Sequence, residues 1–179
     1  MARQKKWGKN GYLQDFKGNR EEGYVYIGES YHADESERKR LLTKLWVWQA
    51  LMLAAAILPG IVTTAGLQNT FYVILPYVFW LLSDFYLAYV LGNMTFGGNP
   101  MRAYVYERTV ARFMPCAAAP FVGAVLTAFN LCFFLIKGGE GQGALLCLAC
   151  CILQGVCFFL IKRSNISRIW IKVLSSGSK

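Results

Sequence analysis

Residues 71–91 read FYVILPYVFWLLSDFYLAYVL. At 1.5 Å per residue such a run crosses the roughly 30 Å hydrocarbon core of a bilayer as a helix. One position breaks its apolar character: Asp84, well inside the run. A carboxylate at the centre of a membrane helix costs about 2.5–3.5 kcal/mol on insertion scales, so it needs a partner, a proton or a watery cavity.

The rest of the chain repeats the apolar pattern. Of its 179 residues 55% are hydrophobic and only 16% charged, where a soluble domain carries about 25% charge. Three further apolar runs lie at 41–58, 114–136 and 144–161. The expected fold is therefore an all-α membrane protein with four transmembrane helices in one bundle, 34–161. A basic segment, 1–33, precedes it and a basic tail, 162–179, follows.

Local signals place the ends of the spans. Asp34 followed by Glu37 is a helix-start pattern, and Pro59-Gly60 is a stop or kink. Residues 137–143, KGGEGQG, form a glycine-rich turn. Pro76, Pro115 and Pro120 fall within spans, where neighbouring helices re-satisfy the freed backbone groups.

The formal charge is +9. In a soluble protein that would suggest nucleic acid, but here the placement of the charge argues otherwise. Of 19 Lys and Arg, ten lie in residues 3–44, three in 102–112 and five in 162–179; Lys137 is the remaining one. Four spans bring both termini and the middle loop to one side, and the positive-inside rule makes that side cytoplasmic. The expectation is an N-in, C-in protein of the cell membrane. Its basic segments face anionic lipid headgroups, and nucleic acid is not a partner.

Within residues 1–33, two β-prone runs, 11–16 and 23–27, flank KGNREE and predict a cytoplasmic hairpin, with an unstructured arm as the alternative. The 92–114 loop is long enough to hold a short surface helix. The tail, KRSNISRIWIKVLSSGSK, reads as a basic interfacial helix, or alternatively as a strand added to the hairpin at 24–27. The length of polar chain before the first span argues against a signal peptide.

Depth along the helices singles out a polar set. Gln49, Asp84 and Gln154 stand about 10–12 Å from the cytoplasmic ends of three spans at 1.5 Å per residue, with Ser83 beside Asp84. The remaining span, 114–136, carries Asn130 nearer the other side. No Lys or Arg lies in a span to pair with Asp84. The set reads either as interhelical glue, a hydrogen-bonded Asp84 meeting Gln49 or Gln154, or as an intramembrane site that takes a proton or cation.

Other constellations are weak. Cys147, Cys150 and Cys151 contain a C-x-x-C spacing, but two Cys at i, i+3 merely share a helix face. A thiol oxidoreductase would also need a second cysteine pair in an external loop. The six cysteines all fall in apolar stretches, as small buried residues do. The single histidine, His32, has no triad or metal partners in sequence. No catalytic, cofactor-binding or metal-ligating residue is assigned, and no cofactor is expected.

The leading functional expectation is a small membrane protein acting through partners, as an accessory, assembly or scaffold subunit, or as a homo-oligomer. The alternative is a small proton- or cation-coupled transporter that uses Asp84, as an oligomer. A membrane thiol oxidoreductase is the remote third.

Overall fold

A computed structural model describes residues 16–19, 23–26, 30–62, 70–139, 141 and 143–173. Four long helices dominate it: α1 (Glu35–Ile61), α2 (Phe71–Phe96), α4 (Val110–Ile136) and α5 (Ala144–Arg163), with a single-turn-and-a-half helix, α3 (Ala103–Arg108), leading into α4. All four are long and apolar enough to span a membrane. The protein is thus a helical membrane bundle. In it α1 packs on α2, α2 on α4, α4 on α5 and α5 back on α1.

All four long helices overrun the apolar stretches that announce them. Asp34 caps α1 by accepting from the Glu37 backbone N–H, and hydrogen bonds from the Ser36 hydroxyl and Glu37 hold its carboxyl below the usual carboxylate range. The helix thus starts where the Asp34–Glu37 pattern places it, with the basic residues Arg38, Lys39 and Arg40 inside it. At the other end Pro59 does not stop α1, which runs on to Ile61. Gly92 does not stop α2 either. Nothing lies within 4 Å of where its Cβ would sit, so it is a lipid- or solvent-side position with no turn to make.

Strands finish the end of the bundle where α1 starts. A hairpin pairs β1 (Phe16–Asn19) with β2 (Gly23–Tyr26), Phe16 opposite Tyr26. The predicted first strand began at residue 11, and residues 11–15 lie outside those described. A second sheet has β3 (Ser30–His32) at its centre. It is flanked by β4 (Met101–Arg102) and β5 (Ile171–Val173), both antiparallel. The tail thus departs from the expected interfacial helix. After α5 it makes a 3₁₀ turn, Ile166–Ile169, and then a strand. Nor does that strand join the hairpin at 24–27; its partner is β3. Asn165 enters the 3₁₀ turn with a positive φ, 45°, a backbone region that Asn tolerates and that breaks the α-helix.

The core divides into two apolar clusters stacked along the bundle. One, at the sheet end, gathers Leu45, Leu87, Leu91, Met94, Phe113, Ile161 and Trp170. The other gathers Ala56, Val73, Trp80, Ala124, Leu131 and Cys147. In the second, α4 comes closest to α2 at Gly123, where an added Cβ would stand 2.8 Å from Trp80 Cα. Gly123 therefore serves a contact within the chain.

Because the obstruction at Gly123 is backbone, it cannot swing away. Gly123→Ala should push α2 and α4 apart and lower stability by about 1–3 kcal/mol. Gly92→Ala, with open space around it, should be neutral or stabilising. Thermal unfolding of both variants in mild detergent checks this; equal stability of the two would refute the close approach.

Candidate functional site

Between the two apolar clusters lies a polar layer. On α2, Trp80 belongs to one cluster and Leu87 to the other, with Asp84 between them. On α5, Cys151 and Cys157 flank Gln154 in the same way. Gln49 of α1 completes the layer. Asp84 and Gln154 are fully buried and Gln49 is 1% exposed, so none of the three is hydrated at the bundle surface.

The geometry joins three helices. Gln154 Nε2 donates to Asp84 Oδ1 at 3.1 Å, linking α5 to α2. Gln49 Nε2 donates at 3.0 Å to the backbone carbonyl of Asp84 rather than to its carboxylate, linking α1 to the same residue. Two amides thus meet one position, one from adjacent α1 and one from α5 across the bundle. With α2 running to Phe96, Asp84 is thirteen residues from one helix end and twelve from the other. Among the described residues no Lys or Arg pairs with it.

Polar atoms are left over. Asp84 Oδ2, Gln49 Oε1, Gln154 Oε1 and Trp80 Nε1 are buried with no hydrogen-bond partner among the described residues. Three of these are acceptors and one is a donor. A proton on Asp84 Oδ2 would turn one acceptor into a donor, and a small cation or a water would serve the same atoms. Each buried polar group left without a partner costs about 1–3 kcal/mol.

Ser83 does not belong to the layer. It sits next to Asp84 in sequence, but the helical turn leaves it half-buried and without a hydrogen bond in the described structure. Asn130 bonds its own helix, Nδ2 to Leu126 O at 2.9 Å. Thr127, buried at the facing position of α4, likewise donates to Gly123 O at 2.8 Å. Trp80 was missed in sequence because an aromatic in an apolar span reads as core. Its i, i+4 spacing from Asp84 was the available signal.

The cysteines are all free thiols; Cys147, Cys150 and Cys151 are buried. Among the described residues no group of three His, Cys, Asp or Glu side chains could hold a metal ion.

At the sheet end a second polar assembly ties the connecting segments together. Asn99 acts as a backbone mimic: its Nδ2 donates to Ala33 O at 2.7 Å and its Oδ1 accepts from Ala33 N at 3.3 Å. The same Oδ1 lies 2.8 Å from His32 Nδ1, which must therefore carry the proton. Arg38 reaches across from α1 to the last turn of α2, donating to Thr95 O at 2.9 Å and Met94 O at 3.4 Å. A cation suits those unpaired helix-end carbonyls. The guanidinium also lies 5.9 Å from the Trp170 ring centroid. Trp170 packs edge-on to Tyr106, which stacks on Tyr31 at 3.8 Å. Trp46 Nε1 donates to Thr95 Oγ1 at 3.1 Å.

Asp84→Asn keeps an acceptor for Gln154 and should be nearly neutral. Asp84→Leu strands the Gln154 amide and should cost about 1 kcal/mol, seen as a lower Tm in detergent. Equal loss in both variants would mean that the hydrogen bond is not what Asp84 contributes. The chain matches no protein-family model, no curated protein sequence and no solved structure at a significant level.

Proposed function

We propose that this is a small integral membrane protein that acts through a partner held at its cytoplasmic end, as an accessory, assembly or scaffold subunit. One observation carries the reading: the β4–β3–β5 sheet gathers the N-terminal segment, the 97–109 connection and the tail into one structured surface. A bundle needing only to stay in the bilayer has no use for such a surface. The Asn99–Ala33 pairing and the Arg38–Trp170 contact rigidify it further. The basic stretches 38–44, 102–112 and 162–168 lie at the same end, which supports N-in, C-in placement in the cell membrane by the positive-inside rule. The hairpin at 16–26 then belongs to the cytoplasmic arm.

A second reading has its own support in the unpartnered acceptors of the polar layer. In it the chain is a proton- or cation-coupled transporter, with Asp84 as the group that takes up charge, working as an oligomer. The readings separate on one variant. If Asp84→Asn keeps expression and assembly but abolishes a proton-dependent flux in vesicles, the transporter reading replaces the accessory one.

A photo-crosslinking residue at Ile171, exposed on β5, should give one adduct of constant mass in living cells. The same residue at Leu145, exposed at the opposite end, should not. A cysteine at Ser30 should react with a membrane-impermeant thiol reagent only after permeabilisation. No adduct at Ile171, equal adducts at both positions, or labelling of Ser30→Cys in intact cells each defeats the proposal.

A further inference from the structure

Beside the junction of α3 and α4 a groove of about 490 Å³ opens on the outer surface of the bundle. This is within the roughly 300–1,000 Å³ range of small-ligand sites. Its principal walls are Tyr86, Tyr89 and Asn93 of α2 and Tyr104, Arg108 and Arg112 across from them. No Asp or Glu lines it.

The two arginines lie on either side of the α3–α4 junction and line the same space. Among the described residues neither makes an ion pair or a hydrogen bond, in contrast to Arg38, whose Nη2 donates to two α2 carbonyls. Arg112 also stands in the first turn of α4, where no acidic residue is present and the helix dipole disfavours a cation. Two unpartnered guanidinium groups lining one groove define a site for an anion with several oxygens, because their planar forks match phosphate bidentately.

The groove is also graded. From Phe96, at its aqueous end, to Tyr86 is ten residues, about 15 Å along the helix. Arg108 and Asn93 lie towards the aqueous end, and Tyr86 and Tyr89, both largely exposed on the lipid-facing side, lie deeper. Tyrosines in this position present an apolar ring to acyl chains and a hydroxyl to the headgroup level. A wholly aqueous anion would use only the upper part of this cavity.

We propose that the groove binds one anionic phospholipid, its phosphodiester on Arg108 and Arg112 and its chains along Tyr86 and Tyr89. This goes beyond the diffuse attraction of basic loops to a charged leaflet: it is a saturable site with a defined stoichiometry.

Native mass spectrometry of the purified full-length chain in mild detergent tests it, using phosphatidylglycerol and phosphatidylcholine of identical acyl chains. One phosphatidylglycerol should be retained in preference to phosphatidylcholine by about tenfold or more, since each surface arginine contributes about 1 kcal/mol towards an anionic lipid. R108Q/R112Q should bring the two lipids to parity, while K162Q/R163Q, a basic pair outside the groove, should leave the preference intact. Should R108Q/R112Q fail to fold by circular dichroism, R108K/R112K keeps the charge without the fork and should weaken the preference several-fold. Parity in the unaltered chain, an equal loss in K162Q/R163Q, or an undiminished preference in R108K/R112K overturns the proposal. So does displacement of the lipid by an equal concentration of inorganic phosphate, which would make a free phosphate the ligand.

Discussion

A carboxyl group at the middle of an apolar helix has to be answered by its neighbours, and the bundle is arranged around that answer. Two of the three helices facing or flanking α2 bring an amide to Asp84, one to its side chain and one to its backbone. The fourth helix, α4, brings none. It approaches instead by giving up a side chain at Gly123, so that its backbone meets that of Trp80 one turn away from Asp84. Polar satisfaction and close packing are thus divided among the partners of α2. The apolar clusters above and below the layer keep water from relaxing either solution.

The sheet end obeys a different rule. Its connecting segments add Ala33, Met101, Ile166 and Trp170 to the core and carry backbone donors and acceptors that need partners. Strand pairing answers most of these, and side chains answer the rest. Asn99 completes the line of β3 where the backbone turns away, and Arg38 closes the last carbonyls of α2. Tyr31, Tyr106 and Trp170, from three separate stretches of chain, cover this polar work with one aromatic stack. The result is a surface whose shape depends on all three segments at once.

Much of this could be read in the sequence because hydropathy is a local property. Apolar length alone places four spans, and equal depth alone pairs Gln49 and Gln154 with Asp84. What depends on rotation or distance was less legible. Ser83 and Asp84 differ by one residue, hence by 100° around the helix, and only one faces the partners. Arg38 was indistinguishable from Lys39 and Arg40 until the end of α2 was placed beside it. The helix ends were short because apolar length measures the bilayer, and residues such as Asn93 and Thr95 continue a helix beyond it at little cost. The tail was misjudged because Ile169, Ile171 and Val173 fit a strand only if an edge is waiting, and the edge, β3, is far away in the chain.

That distance has a consequence for how the protein is made. Ser30 Oγ and Val173 O meet across 143 positions, so β3 waits through the synthesis and insertion of every span before β5 arrives. Closing so long a loop is entropically unfavourable unless the intervening chain is already folded. Up to that moment a partly inserted chain can have its helices but not the finished surface. The sheet therefore forms only in molecules in which all four long helices have already been made.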